Sequence, residues 1–335
     1  METTALLRVE NLKKYYPIKK GFWKKVVGHI KAVDGVTFTI WRGETLGLVG
    51  ESGCGKSTLG KCILRAVEPT EGRVEFILNG SPLEMTALDK KSLRAARRHM
   101  QMIFQDPYSS LDPRMTVMDI ISEPLRVNKV CNKEEIEERV KKLVELVGLN
   151  VNHLKRYPHA FSGGQRQRIG IARALALNPE FIVADEPVSA LDVSVQSQIL
   201  NLLLDLQKEF HLTYLFISHD LGVIQHVSDR VAVMYVGRIV EMAPTEEIFF
   251  APKHPYTEAL IAAVPRPDPR FRKNKGVLQG EVPNPAAPPP GCYFHLRCPY
   301  ATKRCAEETP IWDEITPGHF VACHYAHDLT LRPID

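Results

Sequence analysis

The run Gly50-Glu51-Ser52-Gly53-Cys54-Gly55-Lys56-Ser57 constrains this chain more than any other part of it. It fits G-x-x-x-x-G-K-[ST], follows the apolar run 45–49 and precedes a helical stripe at Leu59, Cys62, Ile63 and Ala66. A strand that ends in such a loop, with a helix opening directly behind it, points successive backbone N–H groups and the positive end of a helix at phosphate oxygens. The glycines allow close approach of the main chain. Lys56 supplies a mobile positive charge for β and γ phosphates, and Ser57 offers a hydroxyl to Mg²⁺.

Two further segments carry chemistry. In FIVADEPVSALD, residues 181–192, an apolar strand delivers Asp185 and Glu186 to its polar end, where open α/β sheets bind ligands. One carboxylate can hold Mg²⁺, usually through water, and its neighbour can polarise an attacking water. Ser162-Gly163-Gly164-Gln165 abuts the helical run RQRIGIARALAL and makes a second helix N-terminus with bare N–H groups, hence a second phosphate-binding device.

Around these segments the chain alternates strands and helices. Strand-like runs lie at 6–9, 36–40, 181–184 and 214–217. Helical stripes run through Ile136, Val140, Leu143, Val144 and Val147, opened by an Asn132 cap with Glu135 three residues on, and through Val195, Ile199, Leu202, Leu203 and Leu206. The alternation predicts a parallel sheet covered on both faces. The basic, aromatic insertion KKGFWKKVVGHIK reads as a solvated hairpin, and no internal repeat is present. Residues 265–290 are rich in proline and basic side chains and should be extended.

With 44% hydrophobic and 24% charged residues, the 335-residue chain reads as a folded globular protein, and a net charge of +4 gives no concentrated basic face for nucleic acid. No apolar stretch approaches the ~18 residues of a membrane span, and the N-terminus does not read as a signal peptide, so a cytoplasmic location is expected. Cysteines there stay reduced. Four of the seven, Cys292, Cys298, Cys305 and Cys323, follow C-x5-C-x6-C-x17-C. Such crowding predicts a metal site. It lacks the tight pairs usual for zinc, and its wider spacing suits a [4Fe–4S] cluster, with zinc the runner-up because His295, His319 and His324 lie nearby.

Taken in order, residues 50–57, 162–165, 181–186 and 189–192, with His219 in ISHD and Gln105 in IFQDP, resemble the Walker A, signature, Walker B, D-loop, switch-histidine and Q-loop motifs of ABC ATPases. Tyr16 in KKYYP resembles the aromatic that stacks on adenine, with Tyr15 the alternative, and Phe161 stands where a leucine is common before the signature serine. The likeness spans roughly residues 5–250. It implies a P-loop NTPase with a RecA-like α/β core, an antiparallel β subdomain and a helical subdomain, here with a C-terminal cysteine-containing extension. The expected division is 1–93 (β subdomain and first half of the core), 94–164 (helical subdomain), 165–248 (second half of the core) and 249–335 (extension).

The resemblance also implies roles. ATP and Mg²⁺ would be held by Tyr16, Gly50, Ser52, Gly53, Cys54, Gly55, Lys56, Ser57, Thr58, Gln105, Ser162, Gly163, Gly164, Gln165, Asp185 and Asp192. Of these, Ser57, Gln105 and Asp185 would serve the metal, while Glu186 and His219 would be catalytic. Two cassettes packed head to tail would share each ATP between one P-loop and the other's signature, so a second, identical or homologous cassette is implied. YPHAFSGGQRQRIGIARALA, EPVSALDVSVQSQI and GEVPNPAAPPPGCYFHLRC narrow the likeness to ATPase subunits of oligopeptide and dipeptide importers, some of which look to carry an iron–sulfur cluster in this tail. That implies peptide import, two transmembrane permease subunits, an extracytoplasmic binding protein and a peripheral place on the cytoplasmic face of the membrane. The segment 94–154, with Gln105 at its entry, would dock on the permeases. Related importers carry nickel or sugars. Chromosome-type ABC ATPases need long heptad coiled coils, which this chain lacks. Translation-type proteins usually carry two cassettes, and the signature argues against a nucleotide kinase.

Overall fold

A computed structural model describes residues 4–263 and 280–332. They fall into two compact units: residues 5–40, 45–86 and the chain from 218 onward form one, and residues 41–44 with 87–217 form the other.

The first unit opens with the long strands β1 (Ala5–Lys20) and β2 (Lys25–Trp41), joined by a turn at Gly21–Lys24. The basic insertion thus lengthens two strands, and it leaves Phe22 and Trp23 95% and 90% exposed at the tip. β3 (Thr45–Val49) is buried throughout and runs into the glycine loop and α1 (Lys56–Ile63). The helix is shorter than the stripe suggested. Arg65 takes a left-handed φ of 50°, which ends the turn and leaves Ala66 exposed. β4 (Glu71–Leu78) and β5 (Ser81–Glu84) complete a four-stranded sheet in the order β2-β1-β4-β5, with Leu7 opposite Phe76 in its core.

The second unit begins with α2 (Lys90–Ala96) and β6 (Met100–Ile103), followed by the helices α3 (Val117–Asn128), α4 (Lys133–Leu146) and α5 (Gly163–Leu175). Asn132 and Glu135 form the reciprocal cap that their spacing predicts, each hydrogen bond 2.9 Å, and Ile136, Val140, Leu143 and Val144 are buried below it. β7 (Phe181–Asp185), α6 (Val193–Phe210) and β8 (Thr213–Ile217) complete this unit. β8, β7 and β6 are adjacent and parallel, every residue of β7 and β8 being buried. That is why both strands read as unbroken apolar runs rather than alternating ones.

The chain then returns to the first unit as α7 (Leu221–Val227), β9 (Arg230–Tyr235), β10 (Arg238–Pro244), α8 (Thr245–Phe250) and α9 (Pro255–Ala262). After the proline-rich stretch, most of which lies outside the described residues, come α10 (Lys303–Glu307), β11 (Asp313–Thr316) and β12 (His319–Val321). β9 runs parallel to β3, β10 antiparallel to β9, and the tail adds β12 and β11 at the edge beyond β10. The tail is therefore part of this unit's sheet, not an appendage hung from it.

Candidate functional site

The phosphate loop is shaped by backbone that only glycine tolerates. Gly50 has φ 152° and Gly55 φ 112°. A Cβ on Gly50 would lie 2.1 Å from the Met234 carbonyl oxygen, and one on Gly55 1.9 Å from that of Ala32. The neighbouring hairpin holds the loop down, since Gly237 N–H donates to the Cys54 carbonyl at 2.8 Å. Lys56 is 5% exposed, and its ammonium donates to the carbonyls of Gly50 (2.7 Å) and Glu51 (3.1 Å), so it lies along the inside of the loop. Cys54 is buried with its thiol pKa pushed up by that burial, which keeps it a neutral packing residue. Ser52 and Gly53 are exposed, and Ser57 and Thr58 are half-buried at the first turn of α1.

In the other unit, Asp185 ends β7 at 4% exposure, and Glu186 follows it with a left-handed φ of 45°. Its N–H is tied to the Ile217 carbonyl at 2.9 Å. A non-glycine residue in this region is strained and needs surroundings that hold it there. Gln105, just past β6, supplies one hold by donating from Nε2 to Glu186 Oε2 at 2.8 Å. The structure thus brings together Gln105 and Glu186, two sequence-predicted residues from separate motifs.

Ser162 caps α5. Its Oγ accepts from Gln165 N–H at 3.3 Å, and Gln165 Oε1 accepts from Ser162 N–H at 3.1 Å. The helix end is therefore less bare than expected, because the S-x-x-Q spacing is itself a capping box. The N–H groups not used by the box belong to Gly163 and Gly164. A Cβ on Gly164 would meet Val195 Cγ1 at 2.4 Å, so this glycine is needed for close packing on α6. Phe161 is 5% exposed and meets His153 edge to face at 5.8 Å, which makes it a core residue. Asp192 precedes α6, exposed and without a side-chain cap bond. His219 follows β8 and Ser218 and is exposed, while Asp220 caps α7.

The structure separates the two tyrosines. Along β1 they face opposite ways. Tyr15 Oη donates to Asp34, which also accepts from Tyr293 Oη at 2.9 Å and pairs with Arg238 at 2.8 Å. Tyr16 is 37% exposed, with Lys14 Nζ 4.9 Å above its ring. Tyr16 is thus the more exposed ring, and the half-buried Tyr15 belongs to a hydrogen-bond cluster around the buried Asp34.

In the tail, Cys292, Cys298, Cys305 and Cys323 line one small cavity with Phe294, Tyr300 and Leu329. Burial, with the neighbouring thiols adding to it, pushes Cys298 up to about 12 and Cys323 up to about 11, and burial raises Cys292 as well. Among the described residues no three His, Cys, Asp or Glu side chains come together as a group that could hold a metal ion. This does not bear out the expectation of a metal site: the four cysteines share a cavity without meeting as a ligand group. What the four side chains share is the lining of that one small cavity. His295 and His324 line the same cavity, and each of the three nearby histidines has a hydrogen-bond partner. His319 contacts Glu241 and Glu247 through both ring nitrogens, His295 Nδ1 bonds the Cys292 carbonyl, and His324 Nε2 bonds that of Glu308.

A phosphate loop behind a buried strand in one unit, and a carboxylate pair at the end of a parallel strand in the other, are the parts of a P-loop ATPase. Comparison with known proteins is specific. The ABC transporter family matches residues 33–189, and the oligopeptide/dipeptide transporter C-terminal region matches residues 240–305. The oligopeptide transport ATP-binding protein AppF of Bacillus subtilis is 52% identical over 96% of this chain and 97% of its own length. A probable peptide ABC transporter ATP-binding protein of Sinorhizobium fredii is 54% identical over 96% of this chain and 90% of its own. A dimeric post-hydrolysis structure of the ATP-binding cassette MJ0796, bound to ADP and Pi, aligns with TM-score 0.62 at 30% identity, covering 72% of this chain and 99% of that one. The chain belongs to the ATP-binding proteins of ABC transporters, in the branch that carries the oligopeptide/dipeptide transporter tail, and it hydrolyses ATP coupled to transport.

Two residues that sequence reasoning missed, Tyr256 and Arg297, reach the phosphate loop from beyond residue 250. Tyr256 Oη accepts from Glu51 N–H at 2.9 Å, and Arg297 pairs with the Glu51 carboxylate. No local pattern marks either one.

Proposed function

We propose that this chain is the ATP-hydrolysing subunit that energises import of short peptides, working as a peripheral subunit on the cytoplasmic face of the membrane. The observation that carries the reading is one fold holding both a complete ABC phosphate loop and, paired onto the same unit's sheet, the tail matched to oligopeptide and dipeptide transporters. Among the described residues no helix is long and apolar enough to cross a membrane, so transmembrane partners would form the path. A second cassette would complete each ATP site, and an extracytoplasmic binding protein would deliver the peptide.

Within that reading, Tyr16 stacks on adenine, and Lys56, with the N–H groups from Gly50 to Thr58, binds the phosphates. By the family resemblance, Ser57, Asp185 and Gln105 would be the residues that hold Mg²⁺, which would neutralise phosphate charge. Glu186 polarises the attacking water, and His219 contacts the γ phosphate. Ser162, Gly163, Gly164 and Gln165 serve the partner's nucleotide, with Asp192 beside them. The strained backbone of Glu186 and its bond from Gln105 support its role, because a base must be held in one orientation before the water arrives. The segment 94–154, which Gln105 enters, is the part that would dock on the permeases. The four tail cysteines, which line one cavity, would hold a [4Fe–4S] cluster through their sulfurs.

The transport reading is tested with the chain reconstituted with its permeases in vesicles. ATP hydrolysis should rise when the binding protein is loaded with a dipeptide or oligopeptide. Stimulation by nickel or by a sugar, with none by peptides, would reject the peptide assignment and leave the ATPase intact.

A further inference from the structure

Arg297 lies in the tail one residue before Cys298, and its guanidinium reaches a residue 246 positions away in the phosphate loop. Nη1 donates to Glu51 Oε2 at 2.7 Å and Nη2 to Glu51 Oε1 at 2.9 Å. The Arg297 side chain is 4% exposed and that of Glu51 25%. Two parallel bonds fix the plane of a carboxylate as well as its position. The backbone of Glu51 is held on both sides too: its N–H donates to Tyr256 Oη at 2.9 Å and its carbonyl accepts from Lys56 Nζ at 3.1 Å. Beneath it the Tyr235 and Tyr256 rings pack at 4.5 Å, and Phe294 of the tail meets Tyr235 edge-on at 5.3 Å. Arg297 also contacts Tyr235 Oη at 3.4 Å. Side chain, donor and acceptor of one loop residue are thus all committed, two of the three to residues beyond residue 250.

We propose that Arg297 is a positioning residue for ATP binding: it neutralises Glu51 and fixes the first turn of the phosphate loop, so that the loop's N–H groups and Lys56 are set for a triphosphate. A carboxylate inside a phosphate cradle is a liability. Unpaired, it repels the polyphosphate and competes for the Lys56 ammonium that the nucleotide needs. The fork from Arg297 removes both effects and uses the folded tail as its anchor. The inference concerns the nucleotide alone, so it stands or falls independently of the transported cargo.

The test is equilibrium binding of a fluorescent ATP analogue to the full-length chain, together with ATP kinetics of the assembled transporter and a melting temperature for each variant. Arg297→Gln should weaken ATP binding roughly tenfold, the loss expected for a charge-assisted contact. The KM for ATP should rise while kcat at saturating ATP holds, the signature of lost ground-state binding. Arg297→Lys, which keeps charge and bulk without the fork, should lose less, and it supplies the measurement if the glutamine variant does not fold. Adding Glu51→Gln to Arg297→Gln should recover most of the affinity, because the unpaired carboxylate is then gone. Unchanged ATP affinity in both Arg297 variants would overturn the proposal. So would a loss that the double variant leaves in place and that follows the fall in melting temperature, since Arg297 would then only staple the tail.

Discussion

Gln105 donates its side-chain amide to the carboxylate of Glu186 at 2.8 Å, joining the loop after one strand of the parallel sheet to the end of the next. Both residues belong to the same compact unit. The bond restrains the side chain of a residue whose backbone already sits at a left-handed φ of 45°.

Glu186→Gln keeps the shape of that pair and removes the basic oxygen. Steady-state phosphate release from the assembled transporter should fall about 10²–10⁴-fold, with ATP binding retained. Near-normal turnover would remove Glu186 from the base role.

Gly55→Ala places a methyl group 1.9 Å from the Ala32 carbonyl at a φ of 112°. The backbone must shift, and the loop is where it can. Equilibrium ATP binding should drop at least as far as in a Lys56→Ala variant, while circular dichroism keeps the helical signal of the unit that holds α3 to α6. Wild-type ATP affinity in Gly55→Ala would show that the loop tolerates a side chain there.

His319 carries the pH dependence of the tail's attachment. Burial pulls its pKa down, but the hydrogen bonds and charges of Glu241 and Glu247 outweigh that and raise it. Both ring nitrogens can donate, at 2.8 Å and 2.7 Å, only in the imidazolium form. A raised folded pKa means stability fully present below the unfolded value near 6.5 and lost as pH climbs through the folded value. The melting-temperature gap between wild type and His319→Gln should therefore be widest below the unfolded value near 6.5 and shrink as pH rises above it. A gap that widens with pH would contradict a charged bridge.

The four tail cysteines give a spectroscopic prediction. Protein purified without oxygen should be brown and hold about four iron atoms per chain. Serine at Cys292, Cys298, Cys305 or Cys323 should bleach it, while serine at Cys131, which lies far along the chain before α4, should not. One zinc and no iron in a colourless anaerobic preparation would replace the cluster by the alternative metal.

Chemistry that is local along the chain was legible from the residues alone. A phosphate cradle needs glycines, one lysine and one helix start within a few residues, so Gly50–Ser57 is legible without a fold. The same holds for the Asn132–Glu135 cap and for Asp185 and Glu186 behind an apolar strand, whose physical requirements all fit within one turn or one strand. Even the Ser162–Gln165 capping box is present as a spacing. Tertiary structure decided everything that depends on which distant face meets which. It set Tyr16 outward by tying Tyr15 to Asp34, Arg238 and Tyr293, residues separated by up to 259 positions. It carried the tail back by pairing β12 on β10, which alone brings His319 to Glu241, 78 residues away. It placed Arg297 on Glu51. A charge in a loop and an arginine among cysteines look like ordinary solvated residues until folding removes water from between them, and only then does their pairing acquire its strength.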